Sequence, residues 1–275
     1  MPKPPPAAVV ALAQKARNVV RSLERKMAPP PIALLDFDGD LWSFQIVFTL
    51  ADLGVPDQLA DGFRSAADVA RAVNADEDHL YRIMRAATNI DVLREEEDRR
   101  FSLRPMGEAL RQEEGETFRD FIIFMGKVGW RFWGRLGDAV RQGKTAIEIE
   151  TGKKPFEFLV GEPEVAELFN RAMTATSAIA GEAFAAAYDT SGFSRVVDVG
   201  GGHGRLLSMI LKATPSARGV LFDMPKVVEG ARPILAKYGV EDRVEIVGGD
   251  FFESVPEVGA LVPSESYIVQ NSDIN

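Results

Sequence analysis

An aspartate followed by alternate glycines stands in the last third of the chain: Asp198, Gly200, Gly202 and Gly204 within Val196-Val197-Asp198-Val199-Gly200-Gly201-Gly202-His203-Gly204. A short β-branched run leads into this glycine loop, and an apolar helix face of Leu206, Leu207, Met209, Ile210 and Leu211 follows it. The dinucleotide fingerprint G-x-G-x-x-G fails here. Counted from Gly200 its sixth position is Arg205, and counted from Gly201 its third is His203. The phosphate loop fails as well, because no Gly-Lys-Ser/Thr follows. What fits is S-adenosylmethionine (SAM). That molecule has no phosphate to cradle, so the glycines serve close backbone approach, and its sulfonium and ammonium cations favour an acidic loop.

Two further acids fall at matching places. A second strand, Gly219–Phe222, ends in Asp223, and a third, Arg243–Val247, runs into Gly248-Gly249-Asp250-Phe251-Phe252. Strands alternating with helices at this spacing predict a parallel, doubly wound sheet, in which ligands sit at the carboxyl ends of the strands. Asp223 is then placed to accept from both ribose hydroxyls and Asp250 from the adenine amino group, with Phe251 beside it in the expected cofactor set. Ser266–Val269 reads as a fourth strand, an exposed edge and an association hazard.

The chain carries 41 Asp plus Glu against 32 Lys plus Arg, a formal charge of −9. That balance argues against nucleic acid or an anionic membrane as a partner. Cysteine is absent, which excludes disulfides, thiolate zinc and thiol nucleophiles, and two histidines, His79 and His203, do not make a multi-histidine metal centre. No metal is expected. No apolar run approaches the roughly 18 residues of a membrane span, and the start lacks a signal-peptide core, so a cytoplasmic protein is expected.

The elements that must position the loop lie upstream. A basic amphipathic helix carries Val9, Leu12, Ala13, Ala16, Val20, Leu23 and Met27 on one side and is read as an arm packing on a partner chain or on its own domain. Leu41 to Leu53, with Trp42, Phe44, Ile46, Val47 and Phe48, is too apolar for a solvated helix and is expected to be buried, in a subunit interface. Pro56 to Leu110 reads as a winged helix-turn-helix. Ser65 caps a helix over Ala67–Val73, Asn74-Ala75 turns, and Asp76-Glu77-Asp78 opens a second helix with Leu80, Ile83, Met84 and Ala87 on one face. Strands Val92–Arg94 and Arg100–Leu103 then flank a charged tip. Between Asp61 and Arg104 stand 8 Arg and 10 Asp plus Glu, net −2; a DNA reader carries a positive footprint, so the module is expected to be structural. Residues 111–190 read as helical and rich in aromatics, stripes that are core more often than pocket, although a helical segment between two domains is also a natural wall for an apolar ligand site. The expected domains are 1–110 for dimerisation and the winged helix, 111–190 for a helical linker and pocket helices, and 191–275 for an incomplete SAM-binding α/β domain.

On these residues the chain resembles the small-molecule O-methyltransferases of plant phenolic, bacterial polyketide and hydroxyneurosporene type. Leu53-Gly54-Val55, His79-Leu80-Tyr81-Arg82, Phe101-Ser102-Leu103 with Pro105-Met106-Gly107, the Val197–Gly204 loop and Gly248-Gly249-Asp250-Phe251-Phe252 carry the resemblance, from about Leu34 to Pro256. It implies a mainly α N-terminal dimerisation domain with a winged helix, followed by a Rossmann-like methyltransferase domain. It also implies a homodimer, SAM as methyl donor, and an aromatic or polyketide-like hydroxyl as acceptor. Asp198 and the glycines would line the SAM pocket; Phe169 and Met173, with Asn170, resemble substrate-lining positions. Members of the family carry a catalytic His-Asp-Trp stretch after the fourth strand. This sequence reads Gln270-Asn271-Ser272-Asp273-Ile274-Asn275 there, as expected of a C-terminally truncated chain. His203, inside the glycine loop, is not expected to be the base, and Asp273, with a carboxyl pKa of about 3.9, is a poor one. No catalytic residue is assigned. The alternatives are a SAM-binding or dimerisation partner without turnover and a winged-helix regulator that senses SAM.

Overall fold

The computed structural model describes residues 7–112, 117–187, 190, 192–251, 253–256 and 267–270. The chain divides into two compact units, residues 21–172 and residues 1–20 with 173–275.

Helix α1 (Ala7–Met27) runs across that division. Its Leu12, Val19, Val20, Leu23 and Met27 are exposed, so this stripe is unpacked in the single chain. Helix α2 (Pro30–Leu53) has a proline in its first turn and stops at Gly54, whose φ of 74° closes a left-handed cap. Leu41–Leu53, the run expected to be buried in a subunit interface, is covered from within the chain chiefly at its end. Leu41 and Trp42 are exposed, the next residues are half-buried, and Leu50 and Ala51 in the last turn are fully buried. The reason is geometric: only the end of this helix, through Ile46, Val47 and Leu50, reaches the core of the winged module.

That module is built from short, well-capped pieces. Helix α3 (Val55–Gln58) is followed by β1 (Arg64–Ser65) and α4 (Ala66–Val73), with Ser65 Oγ accepting the Asp68 backbone N–H. Asn74 ends α4 in the left-handed region, at φ 52°. Asp76 then caps α5 (Glu77–Thr88) by accepting the His79 backbone N–H. Strands β2 (Leu93–Glu96) and β3 (Arg100–Leu103) pair antiparallel, with Leu93 opposite Leu103 and Glu95 opposite Phe101. β1 joins β3 on the other side, a two-residue strand too short to leave a periodic signal. Leu50, Val55, Leu59, Val69, Leu80, Met84, Leu93 and Phe101 form one buried core; Ile83 packs on its margin.

The rest of this unit is helical. α6 (Pro105–Glu108) precedes α7 (Phe118–Phe124), and a π-helical turn over Met125–Gly129 joins α7 to α8 (Trp130–Trp133). α9 (Leu136–Gln142), α10 (Ala146–Thr151), α11 (Pro155–Gly161) and the first part of α12 (Pro163–Ala187) follow. The aromatics pair within it: Phe132 meets Phe158 edge-on at 5.5 Å and Phe44 stacks on Trp130 at 6.2 Å.

In the other unit the parallel sheet expected from the strand–helix alternation is present. Its described strands are β4 (Arg195–Val199), β5 (Arg218–Asp223), β6 (Val244–Gly248) and β7 (Tyr267–Gln270), in the order β6-β5-β4-β7. The register sets Asp198 beside Leu221 and Val269, and Asp223 beside Gly248. Helix α13 (Arg205–Ala213) lays Leu206, Leu207, Ile210 and Leu211 on the sheet. The helix anticipated over Val227–Tyr238 is two, α14 (Pro225–Val228) and α15 (Ala231–Tyr238). Pro233 in the first turn of α15 has no N–H to bond backward, which breaks the run upstream of it.

Candidate functional site

Three strand ends converge on one loop. After β4 the chain turns back over β5: the Gly200 N–H donates to the Phe222 carbonyl at 2.8 Å. Gly200 and Gly202 hold φ of 69° and 58°, where side chains are strained. At both positions the space a Cβ would take is open, so the loop offers bare backbone outward. Gly201 is constrained from the inside. A Cβ there would lie 2.5 Å from Leu221 Cδ1 and 2.7 Å from Asp198 Cγ.

Asp223 ties the ends together. Its Oδ2 accepts the Gly202 N–H at 2.8 Å, its Oδ1 the Met224 N–H at 2.7 Å, and its carbonyl the Gly249 N–H at 3.0 Å. A carboxylate offers about four lone-pair sites, so two remain for a ligand. Asp250 is exposed, and its carbonyl accepts the Glu253 and Ser254 N–H groups, both at 3.0 Å. Phe251 is half-buried against the sheet cluster of Val197, Val199, Val220 and Phe222.

Asp198 is the anomaly of the unit. It is fully buried beneath the loop, and neither carboxylate oxygen has a hydrogen-bond partner. Burial pushes its carboxyl up to about 7, helped by the neighbouring charge of Asp223 and opposed only by the backbone N–H of Leu207, which falls short of a full hydrogen bond. A buried, unsatisfied carboxylate costs stability. It marks a place where donors or a positive charge are to be supplied from outside the chain. The open loop above it, the spare acceptor capacity of Asp223 and this orphaned acid fit a ligand with a cationic centre and vicinal hydroxyls, and so fit SAM.

His203, in the middle of the loop, packs with Nδ1 3.4 Å from Thr174 Oγ1, and its Nε2 would lie 2.8 Å from a Cβ at Gly230. These contacts could not be read from the sequence, since Thr174 and Gly230 are distant in the chain and carry no motif. His79 is exposed and pairs with Asp76 at 2.6 Å. Phe169, in the unit of residues 21–172, meets Phe124 at 5.4 Å; Met173 lies one helical turn on and is half-buried, as is Asn170. Phe252 and Asp273 fall outside the described residues.

At the opposite ends of the strands a shallow cleft of about 460 Å³ is lined by Arg195, Arg218, Arg243 and Glu245. Its Arg243 donates to the carbonyls of Leu211, Thr214, Pro215 and Ala217 and serves to close the end of α13. Among the described residues there is no cluster of metal-ligating side chains and no helix long and apolar enough to cross a membrane.

Residues 133–265 match the O-methyltransferase domain family, and residues 37–113 match the O-methyltransferase dimerisation domain. The chain is 37% identical over 226 residues to a phenazine O-methyltransferase, PhzM, of Lysobacter antibioticus, covering 82% of this chain and 66% of that protein. The crystal structure of LaPhzM superposes with a TM-score of 0.78 at 36% identity, covering 83% of this chain and 69% of that one. CalO1, a methyltransferase of calicheamicin biosynthesis solved in its SAH-bound form, superposes with a TM-score of 0.69 at 32% identity, covering 82% and 67%. The chain thus spans about two thirds of the length of these relatives.

Proposed function

From the premise that the chain belongs to the O-methyltransferase family, we propose that it binds SAM at the glycine loop and serves methyl transfer to a hydroxyl of a small aromatic or polyketide-like molecule. The observation that carries this reading is the fully buried, unpartnered carboxylate of Asp198 beneath a loop of outward-facing glycine backbone. The SAH-bound state of the relative CalO1 supports the same ligand class.

When bound, SAM supplies an electrophilic methyl group on a cationic sulfur. The chain's own part is binding and alignment, which is most of what an in-line methyl displacement needs. Gly200 and Gly202 keep side chains off the open face, and Gly204, where a Cβ would stand 3.0 Å from Leu221 and 3.1 Å from Leu235, lets the loop close onto the core. Asp198 supplies negative potential from below, where low dielectric makes it effective. Asp223 fixes the loop with two of its acceptor positions and offers the others to the ribose hydroxyls; Asp250 with Phe251 is assigned to the adenine. Phe169 and Met173 on α12 are assigned to the apolar side of the acceptor. No catalytic base is assigned.

We read residues 1–110 as the dimerisation part, 111–190 as the linker and pocket helices and 191–275 as the SAM part, in a cytoplasmic homodimer. The dimerisation match and the exposed Phe37, Leu41 and Trp42 support pairing of two copies. A nucleic-acid role is disfavoured by the wing, where Arg85 meets Glu95, Arg94 meets Glu96, Arg99 meets Asp78 and Arg104 meets Asp91.

Titration calorimetry with SAM tests the binding reading: one site per chain is expected, and absence of binding would refute it. Incubation with SAM and a panel of phenols then separates an enzyme, which forms methyl ethers, from a SAM-binding partner without turnover.

A further inference from the structure

The stretch Gly200-Gly201-Gly202-His203-Gly204 carries a single side chain, that of His203. Its neighbours Gly202 and Gly204 sit at φ of 58° and 78° and give the loop no other handle. The ring is held in a fitted slot. On one side Nδ1 faces the Oγ1 of Thr174, a buried residue of α12, at 3.4 Å; on the other, the space at Gly230 is needed, since a Cβ there would stand 2.8 Å from Nε2.

We propose that the His203 ring, in its neutral form, is the peg that holds the glycine loop in its SAM-binding shape, and that protonation of the ring and SAM binding exclude one another. This rests on the SAM reading given above. A neutral imidazole pairs with the Thr174 hydroxyl at Nδ1 and fits between two uncharged walls. The groups facing it are Thr174 from α12 and Gly230 from the segment between α14 and α15, neither charged, and the Asp223 carboxylate at the end of β5. Burial disfavours the imidazolium and outweighs the opposing pull of Asp223. A bound sulfonium on the same loop adds a second positive charge that repels a protonated ring. His203 is thus a positioning residue, which reaches SAM through the backbone it anchors.

The chain has two histidines, so imidazole NMR titration reads His203 directly and uses the exposed His79 as an internal reference. Saturating SAM should move the His203 midpoint to lower pH and leave His79 in place. Calorimetry of SAM binding from pH 8 to pH 5 on the wild type, His203→Asn and His203→Ala completes the test. Wild-type affinity should fall by up to about tenfold per pH unit below the ring's midpoint. His203→Asn, which keeps a polar side chain for Thr174 but cannot titrate, should lose that part of the fall while binding within several-fold of wild type at pH 8. His203→Ala should bind more weakly than His203→Asn throughout. A His203 midpoint indifferent to SAM, or coincident pH profiles for wild type and His203→Asn, would overturn the proposal while leaving SAM binding intact. Failure of the wild type to bind SAM at any pH would overturn both.

Discussion

The winged module and the glycine loop use the same residue types to opposite ends. In the module, Ser65 and Asp76 each accept a helix-opening N–H, and a continuous core surrounds Met84 and Phe101. Beneath the loop, near the end of β4, an aspartate of equal chemistry lies fully buried with both oxygens unmatched. The first arrangement lowers the free energy of the folded chain and leaves nothing for a ligand to add. The second raises it and leaves binding capacity in store. A polar group that is satisfied reports on folding, and one that is buried and unsatisfied reports on what is to be bound.

The largest effect should come from breaking the satisfied side. Phe101→Ala, at a fully buried position, should cost about 3–5 kcal/mol of stability by denaturant unfolding, and the part that stays folded should bind SAM with unchanged affinity. Asp198→Asn should do the reverse. The folded-state carboxyl, raised from 3.8 to about 7, holds its proton more tightly than the unfolded chain does. Its contribution therefore favours folding below about pH 4 and is lost as pH rises through 7. At pH 8 removing the charge should raise the stability of the free chain by up to about 4 kcal/mol, at about 1.4 kcal/mol for each tenfold difference in proton affinity between the folded and unfolded chain, and SAM binding should weaken at least tenfold. A less stable variant in thermal unfolding at pH 8 would contradict this. Gly202→Ala should cost about 1–2 kcal/mol of stability for the left-handed backbone and weaken SAM further, because a methyl group would enter the open face. Ser65→Ala should cost about 1 kcal/mol in the same unfolding assay and leave SAM titration as it was, which sharpens the contrast between the two regions.

Local signals carried much of the architecture. Ser65, Asn74 and Asp76 marked helix ends because a cap is a short-range interaction, and Val196–Val199 marked a buried strand because parallel strands are apolar on both faces. The alternation of glycines marked a close backbone approach, to which the structure adds the left-handed backbone of Gly200, Gly202 and Gly204. What escaped depended on partners far off in the chain: the two-residue β1, which exists only because β3 pairs with it, and the slot for His203 between Thr174 and Gly230. The Leu41–Leu53 run was legible only in part. Apolar composition says that a surface is to be covered, not by which chain, and here only Leu50 and Ala51 are fully covered from within. Asp198 was legible as an acid at a strand end. Its lack of a partner was not, because that is a property of everything packed around it.

The central claim, that Asp198 waits as an acid for a cation on the glycine loop, is tested most directly by proton linkage. SAM binding is measured at pH 7 by calorimetry in buffers of different ionisation enthalpy. A carboxyl that titrates near 7 in the free chain and is held ionised by a bound cation should release about half a proton per SAM bound, and Asp198→Asn should remove that part of the release, leaving only what His203 contributes. Binding with no proton released from the wild type, or the same release from Asp198→Asn, would contradict the account.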